Sequence, residues 1–171
     1  GFDDLFKLEE DQITASDNFI TQQRIIVKGA AGTGKTIIAK YLCEKYNIQG
    51  KKVLWLSFNK YFTNDIKEYF LRNNEHSYIE THRYLSYLNK LIIDHRRTTK
   101  KRNVYNDFSE EIKDDFLDLI DHLDETNTDL VKTKYDVVIV DEGQDIISMD
   151  FIFLLERVLK NQTESNLQWI Q

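Results

Sequence analysis

The sequence predicts an α/β fold in three layers, a mostly parallel sheet covered by helices, and three observations carry the prediction. Short apolar runs recur at Ile25 to Lys28, Lys52 to Ser57, Tyr78 to Thr81 and Asp136 to Val140. Helical patterns follow them in turn, at Lys35 to Tyr46, Tyr61 to Arg72, Tyr84 to His95 and Ser148 to Lys160. This is the unit in which crossover helices join parallel strands. The last strand, within "YDVVIVDEGQD", is apolar at consecutive positions, as in a strand buried on both faces. The closing "NLQWIQ" reads as the start of a further strand, so the sheet is expected to be larger than these residues.

One segment departs from the strand-then-helix rhythm. Between Asp94 and Lys134 a basic stretch, "HRRTTKKR", gives way to an acidic one running from Asp107 to Asp129. Within it Ile112, Phe116, Leu119, Ile120 and Leu123 recur at spacings of three and four, which predicts an amphipathic helix with a carboxylate-rich outer face. Asp107 followed by Glu110 is a start signal for it. Residues 94–134 are therefore expected to form a small helical insertion packed on a single domain covering 1–171. The chain contains no proline, so punctuation must come from other residues.

Composition narrows the classes. A chain of 171 residues with 41% hydrophobic and 30% charged residues suits one globular domain with a substantial core. Its apolar runs fall far short of the roughly 20 residues that span a bilayer. The N-terminal "GFDDLFKLEED" is acidic where a secretion signal would be basic and then apolar, so a cytoplasmic location is expected. Cys43 is the sole cysteine, which excludes an internal disulfide or a cysteine-based zinc centre, and its helical neighbours Ile38 and Leu42 mark it as core. A net charge of −6 argues against a uniformly basic surface, so any nucleic-acid contact must rest on a local patch.

The stretch "VKGAAGTGKT" carries the chemistry. Gly29, Gly34, Lys35 and Thr36 satisfy G-x-x-x-x-G-K-[ST] between a β-branched strand and a helix, the context in which that pattern cradles phosphates. Glycines at 29, 32 and 34 allow the backbone N–H groups of Gly29, Ala30, Ala31, Gly32, Thr33 and Gly34 to point at an anion. The helix N-terminus adds positive potential. Lys35 reaches the β- and γ-phosphates, and the Thr36 hydroxyl is a magnesium ligand. These residues call for ATP with Mg²⁺ as cofactors. At the end of the last strand, Asp141 is placed to hold the magnesium hydration shell and Glu142 to orient or deprotonate the attacking water.

Together "GAAGTGKT" and "DEGQD" resemble the first RecA-like domain of UvrD/Rep-like superfamily 1 DNA helicases, whose second motif is Asp-Glu-x-Gln-Asp. The resemblance implies a three-layer RecA-like P-loop NTPase that hydrolyses ATP to move along single-stranded DNA, with RNA the alternative strand. It places Gln12 at the adenine and makes Gln144 the catalytic glutamine that links the γ-phosphate to the rest of the site, alongside Lys35 and Glu142. "LSFNK" and "ETHRYL" are similar to the motifs that contact the strand, which implies Phe58, Asn59, Lys60, Thr81 and His82 as nucleic-acid residues. Ile37 and His82 stand where the best-known members carry arginine and phenylalanine. The arginine finger of that family comes from a second RecA-like domain, the partner expected in the intact protein, and no membrane partner is expected. From the residues themselves, Phe58 and Tyr61 fit either base stacking or packing, whereas Trp55 reads as core. Two readings from other classes remain, an ATPase that does not act on nucleic acid and a nucleotide-gated interaction module.

Overall fold

The computed structural model describes residues 24–28, 35–58, 60–72, 78–94, 110–142 and 155–160, without the side chains of 24, 26–28, 35, 60–62, 92–93, 110–113 and 142. Gln12, residues 29–34, Asn59, Gln144, the basic 96–102 stretch and the closing "NLQWIQ" lie outside the described residues. The elements run β1 (Arg24–Lys28), α1 (Lys35–Ile48), β2 (Val53–Ser57), α2 (Lys60–Arg72), β3 (Ile79–Arg83), α3 (Tyr84–Asp94), α4 (Glu110–Glu125) and β4 (Val137–Glu142). The four strands form one sheet in the order β1-β4-β2-β3, with every neighbouring pair parallel. The last described strand in sequence is thus a central one. Its Val27↔Asp141 and Ser57↔Asp141 pairings set Asp141 between the C-terminal ends of β1 and β2.

Strand alternation divides the core into two layers. Val53 and Trp55 of β2 and Val137 and Ile139 of β4 pack with Ala39, Leu42, Cys43 and Tyr46 of α1 and Ile66 and Phe70 of α2. The intervening Leu54, Leu56, Val138 and Val140 pack instead with α3 and α4. Hence the uniform run at Val137 to Val140, since neither face of β4 meets water. On the second layer, Phe116, Leu119, Ile120 and Leu123 of α4 are buried at the spacing read from the sequence, with Leu85, Leu88 and Leu91 of α3 beside them. Trp55 is 1% exposed and meets Phe70 edge-on at 5.8 Å between ring centroids. Among the described residues no helix is long and apolar enough to cross a membrane.

Two helices stop without proline. After α1 the Gly50 N–H donates to the Asn47 carbonyl (2.9 Å) and Lys51 N–H to that of Tyr46 (3.0 Å), with Gly50 at φ 74°. The end of α4 repeats the pattern, Asn127 N–H to Asp124 (3.2 Å) and Thr128 N–H to Leu123 (2.7 Å), with Asn127 at φ 54°. Both are Schellman caps, built on the two residue types that accept left-handed backbone most readily. Two expected boundaries shift. β3 extends through His82 and Arg83, beyond the expected Thr81, because β2 offers paired partners as far as Ser57. The helical pattern expected to reach Lys160 stops short of it, as Leu159 forms a parallel bridge with Tyr135.

A polar cluster fastens β3 to the sheet. The Tyr135 hydroxyl donates to Glu80, whose carboxylate also lies 3.4 Å from Lys52 Nζ and 3.7 Å from His82 Nε2. His82 beside it, with Tyr135 and Lys52, lowers the Glu80 pKa to about 2 against the opposing effect of burial. Burial first, and then Tyr87 and Glu80, push the Tyr135 phenol upward, so it remains a donor.

Two outcomes follow for stability. Trp55→Ala removes a fully buried indole and is expected to lower the unfolding free energy by about 3–5 kcal/mol in urea denaturation. For Glu80 the folded-state pKa lies below the unfolded one, so its contribution is present above the unfolded value and disappears as pH falls toward 2. Glu80→Gln should therefore be less stable than the wild type at pH 7. The gap should narrow as urea midpoints are compared at steps from about pH 5 downward.

Candidate functional site

The site is built at the C-terminal edge of the sheet, where a parallel α/β fold opens its crevice. β1 ends at Lys28 and α1 begins at Lys35, so the glycine-rich residues 29–34 form the whole of the connection between strand and helix. β1 lies directly beside β4, and Lys28 pairs with Glu142. The end of β1 therefore lies next to the two acids that sequence reasoning assigned, Asp141 to magnesium and Glu142 to the attacking water. No acidic residue lies in the first turn of α1 itself, and the positive end of its dipole favours an anion.

Thr36 and Asp141, 105 positions apart in sequence, meet there. The Thr36 hydroxyl donates to Oδ2 of Asp141 at 3.0 Å, and Asp141 is 3% exposed. A buried carboxylate held by a hydroxyl at a helix N-terminus supplies hard oxygen donors, which fit magnesium. Among the described residues no group of three or more His, Cys, Asp or Glu could hold a metal by itself. Lys35 opens α1 and Glu142 closes β4 on the same edge, their side chains being outside the described set.

α1 is held in place by its neighbours rather than by the loop alone. Lys40 is 8% exposed, pairs with Glu44 at 2.8 Å and sits 4.4 Å from the ring centroid of Tyr69, whose hydroxyl donates to Glu44 at 3.2 Å. Burial opposes the Lys40 charge, yet Glu44 and Tyr69 hold its pKa above the ordinary value, so the lysine stays charged and links α1 to α2. Cys43, one turn further, is a core residue as read from the sequence, and burial pushes its thiol well above the ordinary range.

The residues assigned to nucleic acid divide into two groups. Phe58 follows β2, donates its N–H to the Asp141 carbonyl (3.4 Å), and stacks its ring on Tyr84 at 4.6 Å and 17°. One face of that ring is therefore covered by the core layer of α3. Thr81 and His82 instead line a groove of about 180 Å³ on the β3 edge. Its other wall, Thr63, Asn64 and Lys67, comes from α2, and Arg83 and Ser86 complete it. Among the described residues no carboxylate lines it, in a chain whose net charge is −6. Sequence reasoning missed the α2 wall. Its signal was the spacing of Thr63, Asn64 and Lys67, which shares one helix face. Lys60 opens α2 close by, its side chain outside the described set.

No solved structure matches the chain. Over 144 residues, 83% of its length, it is 30% identical to a protein of Acanthamoeba polyphaga mimivirus named "Uncharacterized putative helicase R8", of which the match covers 11%. The chain thus spans about a tenth of that relative. The family model described as AAA domain matches residues 12–167, taking in both the loop that enters α1 and the β4 carboxylate that α1 meets, and the chain belongs to that family.

Proposed function

We propose that the chain is the ATP-binding motor domain of a UvrD/Rep-like helicase, hydrolysing ATP with magnesium to drive movement along single-stranded DNA in the intact protein. The contact between Thr36 and Asp141 at the C-terminal sheet edge carries the nucleotide half of this reading. The groove of donors at Lys67, Thr81, His82 and Arg83, on the neighbouring strand edge, supports the nucleic-acid half, as does the helicase name of the viral relative. Backbone N–H groups of 29–34 and the Lys35 ammonium bind the phosphates, while Thr36 and Asp141 hold magnesium. Magnesium, when bound, neutralises charge that develops on the phosphate oxygens. Glu142 orients and deprotonates the attacking water. Gln12 reads the adenine, and Gln144 senses the γ-phosphate. The arginine that completes the site belongs to a second RecA-like domain.

Stimulation of ATP hydrolysis by single-stranded DNA, measured on the intact protein, tests the reading. Turnover that rises with added DNA supports it. Turnover indifferent to DNA and RNA favours an ATPase with another partner, and tight binding without turnover favours a nucleotide-gated interaction module.

Two variants separate the roles within the site. Lys35→Ala is expected to abolish tight ATP binding in calorimetry with the melting temperature unchanged, because the lost contact is to phosphate and not to the core. Glu142→Gln should keep nucleotide affinity and lower turnover by about 10²- to 10⁴-fold, the range of general-base effects, measured by phosphate release. The 171-residue chain alone, lacking a finger in trans, should hydrolyse ATP slowly and gain little from DNA, since such an arginine is worth about 10³- to 10⁵-fold.

A further inference from the structure

The groove on the β3 edge takes one wall from α2 and the other from the strand and the start of α3. Alternation puts Ile79, Thr81 and Arg83 on one face of β3, and Ile79 packs in the layer that holds Ile66 and Phe70 of α2, so Thr81 and Arg83 lie on the α2 side. On α2, Thr63 and Lys67 are one turn apart and share a face. Thr63 and Thr81 are buried, whereas Lys67 stands exposed. Neither Lys67 nor Arg83 makes an ion pair with another described residue, and Glu68, the acid next to Lys67 in sequence, pairs with Arg72 at 3.6 Å.

Size and lining decide what such a groove holds. At about 180 Å³ it is smaller than the roughly 300–1,000 Å³ of pockets that enclose a small molecule, too small to enclose a base with its sugar. Among the described residues no Phe, Tyr or Trp lines it. The one ring that does, His82, is engaged elsewhere, against Tyr87 at 5.2 Å between centroids and with Nε2 3.7 Å from Glu80. Stacking on aromatic rings, the usual way in which a strand is held by its bases, has no platform here. We propose that Lys67, with Arg83 on the other wall, holds a backbone phosphate of the bound strand, so that this face of the domain grips single-stranded nucleic acid by charge and independently of its bases. The proposal rests on the nucleic-acid half of the reading above and adds to it Lys67, a residue outside both "LSFNK" and "ETHRYL". A cation that neutralises a phosphate releases bound counterions, so affinity for a single strand falls with salt by a logarithmic slope of about 0.7 per phosphate contacted.

The test is fluorescence-anisotropy titration of the intact protein with labelled poly-dT, poly-dA and poly-rU strands of one length across a salt series. Lys67→Ala should weaken binding by the same factor on all three strands and flatten the salt dependence by about 0.7. Lys67→Arg, which keeps the charge, should keep the wild-type slope. Lys45→Ala removes an ammonium that lies over the Tyr41 ring, outside the groove, and should leave slope and affinity at their wild-type values. An unchanged slope in Lys67→Ala, an effect confined to one base, or an equal loss in Lys45→Ala overturns the proposal. In each of those cases, wild-type turnover that rises with added DNA leaves the helicase reading standing. A wild-type protein that binds none of the three strands overturns the nucleic-acid half of that reading, and the proposal with it.

Discussion

A strand buried on both faces has no solvent side on which to place a polar group, and β4 is such a strand. Its four aliphatic residues fill two core layers at once, and the first residue that breaks the run, Asp141, emerges where the sheet ends. Everything at the site depends on this insertion of β4 between β1 and β2. The glycine-rich connection leaves from one neighbour, and Ser57 ends the other. Without β4 the two would have no common partner, and α1 would have nothing to present its threonine to.

A carboxylate at 3% exposure is a costly group unless donors surround it. The fold supplies them from secondary structure. Thr36 sits in the first turn of a helix whose own orphan N–H groups and dipole favour negative charge, so the same end of α1 steadies Asp141 and attracts phosphate. The tether between α1 and α2, through Lys40, Glu44 and Tyr69, lies about one to two turns further along α1. The groove on the β3 edge is reached through α2, which is also one wall of it. The end of α1 that meets Asp141 and the α2 wall of the groove therefore hang on helices that share one core layer.

Much of this was legible in the sequence because it is written in local chemistry. A parallel, doubly covered strand shows as Val-Val-Ile-Val, the start of α1 as Lys35 and Thr36 after spaced glycines, and the α4 stripe as Phe116, Leu119, Ile120 and Leu123. What resisted reading was non-local. Nothing in the residues of β4 announces that it lies between the first and second strands rather than at an edge. β3 was cut short because Ile-Glu-Thr-His-Arg, an edge strand, lacks a continuous apolar run. Phe58 was ambiguous because an aromatic residue after a strand packs or stacks according to a neighbour, Tyr84, that is supplied by the next strand–helix junction. The three-residue α2 wall of the groove was passed over because Thr63, Asn64 and Lys67 are unremarkable on a solvated helix until β3 is laid beside them.

The sheet order has a consequence for synthesis on the ribosome. β1 and β2 emerge early, yet neither pairs with the other, and both must wait for a strand more than eighty residues downstream of β2. Until β4 arrives, β2 has only β3 beside it and β1 has no described partner, so two apolar strands present open hydrogen-bonding edges to the surrounding solution. Contacts of such long sequence separation form late and slowly. The nascent domain thus passes through an interval in which β1 and β2 lack the strand that joins them. That interval is when shielding by a chaperone matters most, and it ends with the same stretch of chain that brings in the carboxylate of the site.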